Sequence, residues 1–304
     1  MINIEERLAK ELGLKLGVVN NVVEMLDEGN TVPFIARYRK EKTGGLSDEV
    51  LRKFSERLTY LRSLDERKAD VSRLIEEQGK LTQEITEALG KAETLTEVED
   101  IYRPYKPKKR TRATIAKAKG LEPLANLILE GAFKGDVLQE ASKYIDEEKG
   151  VEKAEDAVSG ALDIIAEGIS EEAKYRKFIR ELVMREGLIE SKGSSEETTP
   201  YEMYYDYSEE VRKIPPHRIL AINRGEKEKI LSVKITIGED KIISYLEREI
   251  LKGNEVLDEQ LKLAIRDAYK RLIFPSIERE IRNELTDKGE EGAILIFKEN
   301  LKAL

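Results

Sequence analysis

A mostly α-helical chain is expected from three observations: 38% of residues are charged, only 8 are proline, and aromatics make up 6% with no tryptophan. That balance favours long solvated helices over a β-sandwich or barrel. With 304 residues and 40% hydrophobic content, the chain can build two domains or one extended multi-helix body. The expected architecture is an elongated multi-helix scaffold with a helix-turn-helix-like N-terminal unit, a long strut helix and one small β-hairpin.

Composition also excludes whole classes of chemistry. Without cysteine there is neither a disulfide framework nor a thiolate metal site, and the single histidine, His217, rules out multi-histidine metal sites. No cofactor is expected. The N-terminus, MINIEERLAK, does not have the basic-then-apolar pattern of a signal peptide, and no run of about 18 apolar residues suggests a membrane span. The expected address is the cytoplasm.

Asn3 is placed to cap a short helix that Gly13 closes, and Val19, Val22, Val23 and Leu26 give a second helix from Leu16 to Glu28 one apolar face. The pair has a helix-turn-helix shape, for which packing is the default role. Pro33 suits the first turn of another short helix, and Gly44-Gly45 forces a break. Arg37, Arg39, Lys40 and Lys42 surround Tyr38, and internal stacking or pairing is the expected use of that group. Ser47 then caps a strut to Gln78 with Leu51, Phe54, Leu58 and Leu61 at helical spacing and a solvated waist at 65–70.

A helix from Thr82 to Leu89 follows, and Thr94 to Glu97 reads as a capping box for a helix through Ile101. Pro104 and Pro107 are expected to hold the next stretch extended. Short helices are expected at Thr114–Lys119 and Glu122–Glu130 and after Asp136. Two more lie between Val151 and Glu186, the first with small residues that permit close packing and the second capped by Ser170. Residues 189–200 (IESKGSSEETTP) read as a linker, dividing the chain into domains 1–190 and 191–304. Four tyrosines after it are read as a packing face. His217 to Ile222 and Ile230 to Ile237 read as the two arms of the hairpin, with His217 structural at a strand start. Helices from Asp240 to Leu251, Val256 to Ile273 and Ser276 onward complete the chain, with Pro275 separating the last two.

One stretch reverses the local charge. Arg103 to Gly120, RPYKPKKRTRATIAKAKG, holds eight lysines or arginines and no acid in a chain of formal net charge -8. Such a block is neutralised either by phosphates or by acidic surfaces of the same protein. Tyrosines among the cations suit phosphate contact combined with base stacking. The candidate nucleic-acid-binding residues are Lys106, Lys108, Lys109, Arg110, Arg112 and Tyr105.

Several segments together resemble the N-terminal half of the Tex family of bacterial transcription accessory proteins: VPFIARYRKEKTGGLSDE (Val32 to Glu49), EDIYRPYKPKKRTRATIAKAKGLEPLA (Glu99 to Ala125), GALDIIAE (Gly160 to Glu167), HRILAINRGEKE (His217 to Glu228) and RDAYKRLIFPSIEREIRNEL (Arg266 to Leu285). The resemblance implies a helical scaffold that in full-length members continues into a ribonuclease-H-like domain, helix-hairpin-helix units and a C-terminal OB-fold RNA-binding domain. The chain is thus expected to be a truncated member ending where the ribonuclease-H-like domain would begin.

The expected function is a non-enzymatic scaffold associated with transcription that binds RNA or DNA backbones without reading sequence, with the transcription machinery as a further partner and no membrane contact. No carboxylate pair with a nucleophile, Walker-type loop or metal-ligand cluster points to catalysis. The alternative is a structural or protein-interaction module whose basic loop docks on its own acidic helices or on a missing domain.

Overall fold

The computed structural model describes residues 3–131, 133, 135–194 and 198–303, with side chains as far as 297. The chain forms two compact units, Met1–Tyr105 and Lys106–Leu304. This division falls well before the expected boundary at 190/191.

Among the described residues the first unit is entirely helical: α1 (Ile4–Leu12), α2 (Leu16–Asp27), α3 (Val32–Tyr38), α4 (Lys40–Thr43), α5 (Asp48–Glu76), α6 (Gln83–Lys91) and α7 (Leu95–Tyr102). The strut α5 runs unbroken for 29 residues and buries Leu51, Phe54, Leu58, Leu61 and Leu64, then Val71 and Ile75. Its waist stays helical because 65–70 contains neither Gly nor Pro. The Ser47 hydroxyl accepts from the Val50 amide at 3.3 Å, as a cap should. Asn3 occupies the cap position of α1 without a side-chain hydrogen bond.

The first two helices lie against the strut. Val19, Val22, Val23 and Met25 of α2 join the α5 stripe in one core. At the rim, Arg57 donates to both carboxylate oxygens of Glu11 at 2.6 and 2.9 Å, and Arg62 grips Asp27 in the same way at 2.7 and 2.9 Å. The sequence of α2, LGVVNNVVEMLD, contains no lysine or arginine, so the helix-turn-helix shape serves packing and offers a DNA groove no cations from that helix.

The second unit holds α8 (Arg112–Ala118), α9 (Glu122–Glu130), α10 (Val137–Ala141), α11 (Ala154–Glu171), α12 (Ala173–Glu186), β1 (Leu188–Gly193), β2 (Asp206–Glu210), α13 (Pro216–Lys227), β3 (Leu231–Thr236), α14 (Asp240–Ile250), α15 (Glu255–Asp267) and α16 (Phe274–Ala303). Helix α11 is the axle, with Ala157, Ala161, Ile164, Ile165, Ala166 and Ile169 buried. Gly160 faces the start of α9 so closely that an added Cβ would lie 2.4 Å from Leu121 Cδ1. The small residues of α11 thus allow the close approach their sequence suggested. The cap of α12 is Glu172; Ser170 sits inside α11, where its hydroxyl donates to the Glu167 carbonyl at 2.7 Å.

The sheet differs most from expectation. Its order is β2-β1-β3, antiparallel throughout, with Leu188 opposite both Glu210 and Thr236. The supposed linker therefore begins as the central strand; Ser195, Glu196 and Glu197 lie outside the described residues. Ile189 and Ser191 point into the core, and the Ser191 hydroxyl donates to the Tyr204 carbonyl at 2.6 Å, so a polar residue is buried with its hydrogen bond made. The expected first hairpin arm is instead helix α13, with Pro216 in its first turn and Ile219 and Ile222 buried three residues apart. His217 is exposed in that first turn. Gly225, expected in the hairpin turn, lies within α13, where a Cβ would stand 2.6 Å from Leu231 of β3. Tyr201 and Tyr204 are buried, as a packing face requires.

Two prolines also behave differently from expectation. Arg103–Tyr105 forms a 3-10 turn, so Pro104 does not hold an extended chain. Pro275 does not end a helix, because Ala268–Ile273, just upstream, form a π-helical turn in which the Phe274 amide reaches back to the Tyr269 carbonyl. The wider turn accommodates a ring that would clash with an ordinary α-helical carbonyl. Beyond it α16 is fastened to α12 by Arg176, only 1% exposed, whose guanidinium donates to Glu280 at 2.6 Å and Ser276 at 3.2 Å.

Glu280→Ala should destabilise the contact of α12 with α16 by about 3 kcal/mol, because it takes the carboxylate from the buried Arg176 guanidinium. Arg62→Ala, at a half-exposed pair, should cost about 1 kcal/mol or less in α5. Native-state hydrogen exchange measures both. The Arg57 hydrogen bonds hold the Glu11 carboxyl down to about 2, from an ordinary value of 4.5. Its stabilisation is complete above pH 4.5 and disappears as pH falls through about 2. The thermal midpoint of Glu11→Gln should therefore lie below that of the wild type at pH 6 and converge with it at the acid limit.

Candidate nucleic-acid interface

The basic stretch is built differently at each end. Its first three residues, including Tyr105, belong to the first unit, and Lys106 onward to the second. Tyr102 is buried, with the Arg67 guanidinium 5.5 Å from its ring centre. Tyr105 is half-buried on the first core, and its carbonyl accepts from the Gln78 amide nitrogen at 2.9 Å.

On the second unit, Lys108 is docked. Its ammonium lies 2.8 Å from Glu171 and 3.1 Å from Glu167, one turn apart on α11, and its side chain is only 26% exposed. Burial pushes the Lys108 pKa down, but the hydrogen bonds to Glu171 and Glu167 outweigh it and leave a net rise. Three residues later, Thr111 begins α8 with a reciprocal cap: its hydroxyl accepts from the Thr114 amide at 3.1 Å, and the Thr114 hydroxyl accepts from the Thr111 amide at 2.8 Å. Lys109 and Arg110 lie between these two fastenings. Both are exposed, and neither makes an ion pair among the described residues.

The remaining cations divide by surroundings. Arg110 lines a shallow depression of about 380 Å³ together with Lys119 and Lys149, floored by Thr114, Ile115 and Ala118. Lys119 donates to the Gly150 carbonyl at 2.7 Å, and Lys149 pairs with Asp146 at 2.6 Å. Arg112 lines a larger cavity of about 610 Å³ with Asp136, Glu155, Asp163 and Asp267, and another of about 410 Å³ with Lys119, Glu152 and Asp156. Burial raises the Asp163 pKa against the opposing pull of Arg271 and Arg112. Four acids around one arginine repel a phosphate, so Arg112 is set apart from Lys109 and Arg110. Lys106 begins the second unit, half-buried and with an interaction of its own.

Sequence spacing could not separate these roles. The partner acids of Lys108 lie 59 and 63 residues away in the chain. Among the described residues, no cluster of three or more His, Asp or Glu is arranged to hold a metal ion, and no helix is long and apolar enough to cross a membrane.

These features define a helical scaffold that presents a short, fastened basic loop. Residues 2–76 match the Tex-like protein N-terminal domain and residues 134–297 the Tex central region-like family. The chain belongs to the Tex family. It is 48% identical over 306 residues to YdcI of Bacillus subtilis, covering 99% of this chain and 43% of that protein. To the transcriptional accessory protein Tex of Neisseria gonorrhoeae it is 39% identical over 312 residues, covering 100% of this chain and 41% of that one. To the human S1 RNA-binding domain-containing protein 1 it is 30% identical over 314 residues, covering 98% of this chain and 31% of that one. The chain spans about two fifths of the length of these bacterial relatives.

If Lys108 fastens the loop, Lys108→Ala should speed trypsin cleavage after Lys109 and Arg110 several-fold while moving the thermal midpoint little. Timed digestion read by mass spectrometry checks this.

Proposed function

We propose that this chain is a non-enzymatic nucleic-acid-binding scaffold of the Tex type, which contacts RNA or DNA phosphates without reading sequence. The observation that carries this reading is the contrast within the loop. Lys108 is tied to Glu167 and Glu171, while the adjacent Lys109 and Arg110 are held out to solvent between that tie and the Thr111 cap. A backbone already fastened on both sides of these cations loses little further entropy when a phosphate arrives, which favours binding. The names of two relatives, a transcriptional accessory protein and an S1 RNA-binding domain-containing protein, agree with a role beside nucleic acid and the transcription machinery. Such a role belongs in the cytoplasm and requires no cofactor.

The docking alternative is supported by one residue. Lys108 meets acids of its own unit, so its charge serves the fold, and the phosphate contacts narrow to Lys109 and Arg110, with Lys106 and Arg112 outside the central pair.

The test is a titration of labelled single-stranded RNA and duplex DNA at several salt concentrations. Lys109→Ala with Arg110→Ala should weaken both affinities and flatten the log-log salt slope by about 1.4 for single strands and about 1.8 for duplex DNA. Unchanged affinity and slope would show that the loop is not a binding site.

A further inference from the structure

On the first unit, the segment from Thr31 to Gly45 carries four cations and one acid, Glu41. Internal stacking accounts for only one of those cations: the Arg39 guanidinium lies 5.3 Å from the Phe34 ring centre. The helical period divides α3 into two faces. Val32, Ile35 and Ala36 turn inward, with Ile35 fully buried in the first core, while Phe34, Arg37 and Tyr38 turn outward, and Arg39, just past the helix, lies over one face of the Phe34 ring. Phe34 is 37% exposed and Tyr38 57% exposed. Their rings stand 5.2 Å apart at a 47° tilt. Arg37 of the same helix and Lys40 and Lys42 of the adjoining α4 are exposed and make no ion pair among the described residues.

The backbone that follows the platform is fastened. The Asn21 side-chain amide of α2 donates to the Lys42 carbonyl at 3.0 Å, Thr43 is buried, and Gly44 closes α4 in the left-handed region at φ 66°. Two adjacent exposed rings beside polar, charged residues make the kind of apolar patch that marks a binding surface. Flat ring faces select flat rings, and the neighbouring cations select an anionic backbone.

We infer that Phe34 and Tyr38, with Arg37, Lys40 and Lys42 on the same pair of short helices, form a stacking platform for single-stranded nucleic acid on the first unit. One or two unpaired bases lie on the Tyr38 and Phe34 rings, and the flanking phosphates meet the three cations. A duplex is excluded because its base faces are already covered by its own stack. This site uses residues different from Lys109 and Arg110, and it stands or falls separately from them.

The chain contains no tryptophan, so Tyr38→Trp introduces a unique indole reporter that keeps an aromatic face. In the full chain, saturating twelve-nucleotide oligo(U) or oligo(dT) should quench the indole emission by half or more, and a blunt duplex should leave it unchanged. Lys109→Ala with Arg110→Ala in the same background should preserve the quenching. Phe34→Ala with Tyr38→Ala should weaken single-strand binding about ten-fold or more. Arg37→Ala, Lys40→Ala and Lys42→Ala together should flatten the salt slope by about two. If oligonucleotide binds by anisotropy while the indole emission stays constant, the platform is overturned and the Lys109 and Arg110 site is unaffected. If polyglutamate quenches the indole and displaces the oligonucleotide equally well, the face is a protein-docking surface and the inference fails.

Discussion

The second unit depends on the burial of α11. Its inward face is alanine and isoleucine, and Gly160 lets Leu121 approach within van der Waals contact of its backbone. Helices α8, α9, α10 and α15 all pack on it. Apolar burial of this kind is the main favourable term in folding, and small side chains convert it into short interhelical distances. The same helix presents Glu167 and Glu171 one turn apart at its C-terminal end. A rigid axle therefore places two carboxylates where Lys108 can meet both, and the attitude of the basic loop is inherited from the core.

Charge serves several purposes in this molecule. At the rim of the first core, Glu11 with Arg57 and Asp27 with Arg62 orient helices already joined by Val22, Phe54 and their neighbours. Such partly exposed pairs refine a packing arrangement and contribute little free energy. Arg176 belongs to another category, because its guanidinium is enclosed between α12 and α16 and would be stranded without Glu280. Lys109, Arg110, Arg37, Lys40 and Lys42 remain outside both arrangements. They share this with other exposed lysines such as Lys15, Lys80 and Lys91; what sets the five apart is their clustering, in a chain whose net charge is -8, beside a fastened loop or an aromatic pair.

Membership of the Tex family and a mostly helical fold both follow from long ordered stretches of sequence, and the strut α5 was legible because one uninterrupted 3.6-residue period governs it. Local chemistry also identified the Ser47 and Thr94 caps, since a cap involves residues only two or three apart. The errors share a different cause. The run Ile219 to Ile222 is too short for periodicity to separate helix from strand, and β1 resembles a linker until Ser191 is seen donating to Tyr204. Pro275 reads as a breaker until the π-helical turn before it is known.

The candidate sites divide along the same line. The sequence by itself determined where the cations are concentrated, which residue types accompany them, and that multi-histidine and thiolate chemistry is absent, because these are properties of composition and order. Only the tertiary structure decided which cations are available. Lys108 is neutralised by acids 59 and 63 residues away, Arg112 lines an acidic cavity, and Tyr38 stacks on Phe34 as expected of that group yet stays exposed. The physical reason is that charge compensation and burial depend on distance through space, and α11 and α5 bring together residues that the chain order keeps far apart.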